Sequence, residues 1–310
     1  MSKGKKLTFM AGTRDSGWWV IGEIMRKALA HEGFEVEVTW DTREQRMASI
    51  ASGDADFGVR EEHEVRWAFH GRGLCEGRAA PDLRAIASFA QPSWMTFAVT
   101  YETRLTAIEQ IKEQKFPLRI YTPHARMGGR IGSMAYLIDR IFKAYGFTLQ
   151  DIERWGGKHW TAENGGNQAI REHNFDAIIY RAYPGYGPAG KVWQEATMLN
   201  NLRFLSFASD VLDDLSKKYH LRRGFLPRLL MRGVEENMST LYFPYKIMFT
   251  SRHMDEELAF ITAKSLDEHP DYFLETHYPT SYNPFIACQD TGVPLHPGAE
   301  RYYRSRGYIK

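Results

Sequence analysis

The 310-residue chain is 43% hydrophobic and 25% charged, which is typical of a folded globular protein with one large or two medium domains. Its 40 Lys and Arg residues and 38 Asp and Glu residues give a formal net charge of +2, which is too balanced for a general nucleic-acid-binding or membrane-surface protein. Cys75 and Cys288 match no disulfide framework or metal-ligand spacing. We therefore expect no metal, no cofactor and no nucleic-acid partner.

The amino-terminal segment MSKGKK is basic, but the apolar run that follows it is too short for the h-region of a secretory signal. No later segment reaches the roughly 18 apolar residues that a membrane span needs. Two localisations stay open on this evidence. The protein is cytoplasmic if Met1 is the native start, and periplasmic if an export signal has been removed.

Apolar runs and amphipathic segments alternate along the chain, which predicts an α/β fold built largely on parallel strands. We predict strands at residues 7–11, 35–40, 55–59, 83–89, 95–101, 118–122, 176–180, 203–207 and 241–250. We predict helices at residues 18–31, 43–52, 131–145, 164–173, 210–219 and 255–268. Ser251 is a candidate cap for the last of these helices.

The strand and helix pattern of the first part of the chain recurs from about residue 118, which predicts two lobes. We place lobe 1 at residues 1–102 and 241–310, and lobe 2, inserted into it, at residues 103–240. The chain has no Gly/Ser-rich or Pro-rich linker, so the two crossings are expected to be ordered hinge segments. The C-terminal LHPGAERYY stretch is expected to pack on lobe 1.

Four segments resemble one known family. They are GDADFGV, the IYTP and GGRIGS pair, FDAIIY and, most specifically, PLHPGAERYYRSRG. Over nearly its whole length the chain is similar to the TAXI family of solute-binding proteins, the extracytoplasmic receptors of a class of TRAP transporters. The resemblance implies a type II periplasmic-binding-protein fold, with two α/β lobes that close on a small anionic solute. It also implies the TRAP membrane subunits as possible partners.

The loops expected to form the pocket depart from the family pattern. They read GTRDSGWW, DTREQR, VREE and PHARMGGR. The candidate ligand-binding arginines in these loops and at the strand end near residue 181 are Arg14, Arg43, Arg60, Arg126, Arg130 and Arg181. Ligands bind at the carboxyl ends of strands in open α/β sheets, and the guanidinium fork binds carboxylates with two hydrogen bonds. The same segments carry aromatic and polar residues, namely Thr13, Trp18, Trp19, Tyr121, His124, Tyr180 and Tyr183. The sequence therefore favours an aromatic or unsaturated polycarboxylate as ligand, bound between the lobes.

Two alternatives stay open. Loop arginines are often paired at the surface, and Asp15, Glu44 and Glu61 are available as partners. The second alternative is a cytoplasmic enzyme on the same fold, a cofactor-independent decarboxylase or isomerase that acts on an unsaturated or aromatic carboxylate. His124, Glu61 and Asp15 would then serve as acid and base. The chain carries no GxSxG, HExxH, P-loop or CxxC motif, so we prefer binding to catalysis.

Overall fold

The computed structural model describes residues 6–14, 16–40, 46–123, 132–184 and 190–310. The elements in chain order are β1 Lys6–Ala11, α1 Gly17–His31, β2 Glu35–Trp40, α2 Arg46–Ser52, β3 Phe57–Glu61, α3 Glu62–His70, β4 Leu83–Thr100, α4 Glu109–Glu113, β5 Arg119–Tyr121, α5 Ser133–Ala144, α6 Leu149–Arg154, β6 Lys158–Trp160, α7 Gly166–Arg171, β7 Ala177–Ala182, α8 Lys191–Leu199, β8 Leu202–Leu205, α9 Ser209–Tyr219, β9 Arg222–Leu226, β10 Met238–Ser251, α10 Glu256–Glu268, α11 Asp271–Leu274, α12 Pro284–Ala287 and α13 Pro297–Ser305. No helix in these ranges is long and apolar enough to cross a bilayer.

The chain divides into two compact units. Unit 1 comprises Met1–Gln91 and Pro244–Lys310, and unit 2 comprises Pro92–Phe243. The sequence places the boundaries at 102/103 and 240/241 instead. The difference arises because β4 and β10 each continue without a break from one unit into the other, so no loop marks either crossing. The two predicted strands at 83–89 and 95–101 are accordingly one strand, β4.

The sheet of unit 1 has the order β2, β1, β3, β10. Strand β1 pairs in parallel with β2 and β3, and β10 pairs antiparallel with β3. The carboxyl ends of β1 and β3 therefore lie at the same edge of this sheet. The loop before α1 follows β1 at that edge, and Arg60 and Glu61 end β3 there.

Helix α1 begins at Gly17 because Ser16 caps it, with its Oγ accepting a hydrogen bond from the backbone N–H of Trp19. The apolar face of the helix, which includes Ile21, Ile24 and Met25, is buried in the core of unit 1. Apolar residues at intervals of three and four predict this face from the sequence alone.

The sheet of unit 2 contains β4, β7, β5 and β6 in that order. Strand β7 pairs antiparallel with β4 and parallel with β5, and β6 pairs parallel with β5. Strand β8 also pairs with β4, and β9 pairs with β10, both antiparallel. The carboxyl ends of β5, β6 and β7 thus share one edge, which includes Tyr121 and Arg181.

The C-terminal segment packs within unit 1, where α13 lies against α10. The Tyr303 hydroxyl donates to the backbone carbonyl of Ile86 at 3.0 Å. The carboxylate of Asp267 accepts hydrogen bonds from the Tyr302 and Tyr308 hydroxyls at 2.7 and 3.0 Å. The tyrosines of LHPGAERYYRSRGY therefore attach this segment to unit 1 through buried rings and hydrogen-bonded hydroxyl groups.

The two helices that pack together here, α10 and α13, each begin at a side-chain cap. The carboxylate of Asp255, and not the predicted Ser251, caps α10 by accepting from the N–H of Leu258. Helix α13 begins with Pro297 in its first turn, and the Nδ1 of His296 accepts from the N–H of Gly298 at 3.2 Å. This hydrogen bond requires an unprotonated Nδ1, and His296 is 1% exposed.

We expect the stability of the fold to decrease as the pH falls below about 6.5. Burial lowers the pKa of His296 from its ordinary value of 6.5, and burial does the same to His159. The unfolded chain then binds protons that the folded chain does not, so each histidine removes up to about 1.4 kcal/mol of stability per pH unit from pH 6.5 down to its folded-state pKa. Urea denaturation at several pH values measures this dependence.

The variant His296→Asn is the matched control, because asparagine caps helices as well and does not titrate. We expect it to fold and to show a shallower dependence on pH between 5 and 6.5 than the native chain. An unchanged dependence would show that protonation of His296 does not contribute.

Candidate functional site

Ten of the candidate site residues fall in the described ranges. Unit 1 contains Thr13, Arg14, Trp18, Trp19, Arg60 and Glu61, and unit 2 contains Tyr121, Tyr180, Arg181 and Tyr183. The other candidate site residues, Asp15, Arg43, Glu44, His124, Arg126 and Arg130, lie outside the described residues.

Arg60 and Trp18 come together at the carboxyl edge of the unit 1 sheet. The guanidinium carbon of Arg60 lies 4.9 Å from the centre of the Trp18 ring, and Nη1 of Arg60 donates to the Val59 carbonyl at 2.8 Å. A Cβ atom at Gly12 would overlap the Trp18 ring, so the glycine lets the ring lie directly against the loop backbone. The Arg60 guanidinium is therefore held on one face by the Trp18 ring and at one edge by the Val59 carbonyl.

Arg14 makes a similar contact nearer the solvent. Its guanidinium carbon lies 5.5 Å from the centre of the Trp19 ring, and Arg14 and Thr13 are both exposed. Trp18 and Trp19 are partly buried, and both pack against the core of unit 1. Each of the two adjacent tryptophans thus supports one arginine.

Glu61 faces Lys246, a residue that the sequence reasoning missed. The two are direct cross-strand partners in the pairing of β3 with β10. The Nζ of Lys246 lies 3.6 Å from a carboxylate oxygen of Glu61, with 4% and 1% of the side chains exposed. The same Nζ lies 5.8 Å from the centre of the Tyr278 ring. A lone lysine inside the apolar run LYFPYKIMFT is the sequence signal that indicates such a buried partner.

Gln91 is a second residue that the sequence reasoning missed. It ends the unit 1 portion of β4 and is 2% exposed. A Cβ atom at Gly17 would overlap the Oε1 of Gln91 and would come within 3.1 Å of the Tyr278 ring. The amide of Gln91 and the ring of Tyr278 therefore lie against the first residue of α1.

In unit 2, Arg181 is 2% exposed. Its guanidinium carbon lies 4.2 Å from the centre of the Phe243 ring. The backbone carbonyl of Arg181 accepts a hydrogen bond from Trp193 Nε1 at 3.1 Å, which ties β7 to α8. Next to it in β7, burial raises the pKa of Tyr180, so this tyrosine is neutral over the physiological range.

Tyr121 lies in the core of unit 2, with 1% of the residue exposed. Its hydroxyl donates to Oδ1 of Asn167 at 3.0 Å, and burial raises its pKa. A Cβ atom at Gly166 would overlap the ring. This packing favours a structural role for Tyr121 over the predicted stacking on a solute. Tyr183, which follows β7, is half-buried.

The two units, each with a sheet of strands that is flanked by helices, form a mixed α/β fold. The chain belongs to the NMT1-like family, whose model matches residues 11–307. The finer resemblance to TAXI proteins stays a prediction.

Solved structures match over nearly the whole chain at low identity. The periplasmic binding protein BugD is 11% identical, with a TM-score of 0.50 over 99% of this chain and 95% of that chain. XAC2383 from Xanthomonas citri, bound to a chloride ion, is 12% identical, with a TM-score of 0.49 over 97% and 95%. The aliphatic sulphonate-binding protein SsuA from Escherichia coli is 12% identical, with a TM-score of 0.47 over 99% and 88%. At this identity the match to BugD supports the fold alone.

Proposed function

We propose that the chain binds a small anionic solute, an organic or aromatic polycarboxylate, and passes it to a membrane transporter of the TRAP type. The observation that carries this proposal is the stack of Arg60 on Trp18 at the carboxyl edge of the unit 1 sheet.

Stacking matters because it fixes the plane of a guanidinium. The ring occupies the face of the group, whereas carboxylates bind to its N–H edge. Arg14 follows β1 and Arg60 lies at the carboxyl end of the parallel strand β3, so both are at the same edge of the sheet, where open α/β folds bind ligands. The ammonium of Lys246 lies on the strand next to Arg60 and adds positive charge that offsets the carboxylate of Glu61.

Arg181 repeats this arrangement in unit 2, where its guanidinium stacks on Phe243. We include Arg181 and Tyr183 in the proposed binding set. We also retain the sequence predictions for Arg43, His124, Arg126 and Arg130. An aromatic solute would also stack on exposed protein rings, in addition to its charged contacts.

A thermal-shift screen tests the proposal, because a ligand that binds only the folded state raises the melting temperature by mass action. The panel contains dicarboxylates and tricarboxylates, with sugars, amines and the neutral amides of the same acids as controls. The acids are expected to raise the melting temperature most. A larger shift with a sugar or an amine would contradict the proposal.

Chromatography of a bound acid after prolonged incubation with the protein separates binding from the enzyme alternative. A binding protein returns the acid unchanged. Conversion of the acid would assign the chain to the enzyme class instead.

Replacing Arg60 by Ala is expected to weaken binding of an acid by about 1.5–3 kcal/mol, since a charged hydrogen-bonding group is lost. Arg60→Lys is expected to recover little of this, because an ammonium does not reproduce the guanidinium fork. Titration calorimetry measures both variants.

Arg301→Ala is the matched control for Arg60→Ala. Arg301 also stacks on an aromatic ring in unit 1, with its guanidinium carbon 4.7 Å from the centre of the Phe260 ring, but it lies on α13. We expect this change to leave affinity within about 0.5 kcal/mol of the native value. Equal effects of the two substitutions would argue against a specific role for Arg60.

A further inference from the structure

The side-chain amide of Gln91 is a buried polar group whose hydrogen bonds are not made within the described residues. Gln91 is 2% exposed, and neither Oε1 nor Nε2 has a hydrogen-bond partner in that part of the chain. Burying an amide without such partners is costly, and native structures keep few of these groups. A buried amide of this kind indicates a missing partner, either a ligand or a water molecule.

Two further polar groups in this region share that property. Trp18 Nε1 and Ser281 Oγ are buried and, among the described residues, have no hydrogen-bond partner. The backbone N–H of Ala90 donates to the Ser281 carbonyl at 2.7 Å, and the N–H of Ser281 donates to the Tyr278 carbonyl. The loop before α12 is therefore bound to the end of the unit 1 portion of β4, beside Gln91.

Gln91 and Trp18 lie at the amino-terminal end of α1, a helix of 15 residues. Gly17 contacts both Gln91 and Tyr278, and Trp18 is the next residue. The helix end adds the partial positive charge of its backbone N–H groups. The site thus combines a cationic stack, Arg60 on Trp18, with a neutral polar group that has both a donor and an acceptor.

We infer that Gln91 is a specificity-determining residue, which binds an uncharged polar substituent of the solute, a hydroxyl or a carboxamide. A carboxylate would accept from Nε2 but would repel Oε1, and an ammonium would do the reverse. A hydroxyl or a carboxamide both donates and accepts, so it satisfies both amide atoms. The inference rests on the proposed function and narrows it from polycarboxylates to acids that also carry such a substituent.

The first experiment needs no solute. Gln91→Met replaces the amide by an apolar group of similar length, and replacing an unsatisfied buried polar group in this way is nearly neutral or stabilising. We expect the urea midpoint of the unliganded variant to equal or exceed that of the native chain. A clearly lower midpoint would show that the amide is satisfied by the fold itself, for example through a structural water, and would overturn the inference.

The second experiment measures discrimination in the native chain. The probes are phthalate, 4-hydroxyphthalate and 4-carbamoylphthalate, together with glutarate and 3-hydroxyglutarate. At least one substituted acid is expected to bind roughly tenfold more tightly than its parent, because a site built to form hydrogen bonds rejects the analogue that lacks the group. The hydroxyl and carbamoyl arms show which substituent the site accepts.

Gln91→Met is expected to remove this preference, so that the affinity ratio falls to about one. Ser88→Ala is the matched control. It removes the hydroxyl of Ser88, another buried polar group of β4 that has no partner among the described residues. Ser88 is three positions from Gln91 and so on the opposite face of the strand, and its replacement is expected to leave the ratio unchanged.

The outcomes separate the inference from the function on which it rests. If the acids bind but the native chain shows no preference, or if Gln91→Met keeps the preference, the inference is wrong and the proposed function stands. If none of the acids binds, the proposed function fails and the inference fails with it.

Discussion

Replacing Lys246 by Met is expected to lower the free energy of unfolding by about 3–5 kcal/mol, because it removes one partner of a buried ion pair. The pair is almost completely inaccessible, with 4% and 1% of the two side chains exposed. The carboxylate of Glu61 would keep its charge in a poorly solvated place without the ammonium that faces it. Urea denaturation measures the loss.

Two further variants test the cause. Adding Glu61→Gln to Lys246→Met is expected to restore much of the stability, because the double variant no longer buries this carboxylate. Lys264→Met removes an ammonium from a more exposed ion pair, 3.0 Å from Glu32, and is expected to cost less than about 1 kcal/mol. If Lys246→Met lowers the free energy of unfolding no more than Lys264→Met does, burial does not explain the contribution of the Lys246–Glu61 pair to stability.

Gly298→Ala is expected to destabilise unit 1 by about 2–4 kcal/mol, although alanine is the better helix former. A Cβ atom at this position would overlap the backbone carbonyl of Glu256 and would come within 3.0 Å of the Ala259 Cβ. Because backbone atoms cannot move aside as a flexible side chain does, α13 would have to move away from α10. The glycine of the LHPGAERYY segment is thus explained by helix packing.

Thermal or urea denaturation of Gly298→Ala measures this loss, with Ser305→Ala on the same helix as the control. Ser305 is exposed, and its replacement is expected to change stability by less than about 0.5 kcal/mol. A rise in stability for Gly298→Ala, as helix propensity alone predicts, would contradict the close contact of the two helices.

Local patterns predict the regular elements of unit 1 well. The apolar periodicity predicts a helix at 18–31, and α1 spans Gly17–His31. This prediction succeeds because the pattern of an amphipathic helix depends only on residues that are close together in the sequence. Strand β4 is harder to predict from the sequence, because Gln91 and Pro92 interrupt its apolar run and divide it into two apparent strands. The strand is continuous because it pairs with segments that are distant in the sequence, and a local pattern does not show such pairing.

The candidate site is predicted only in part, because local patterns identify its residues and do not show which of them are in contact. Arg60 ends a strand and Trp18 begins a helix, so the sequence identifies both as edge residues, although it does not show that they touch. The pairing of Lys246 with Glu61 and the contact of Gln91 with Gly17 join residues that are far apart in the chain. Those contacts depend on how β10 and β4 are placed beside β3 and α1, and only the folded structure specifies that.

The most direct test of anion binding is titration calorimetry of the native chain with phthalate or another acid selected by the screen, and with the neutral diamide of that acid. The two molecules have nearly the same shape and differ in charge. We expect that the acid binds, that its affinity falls as salt is raised, and that the diamide binds at least about a hundredfold more weakly because the charged hydrogen bonds are lost. Equal binding of the acid and the diamide would contradict the proposal that the chain binds an anion.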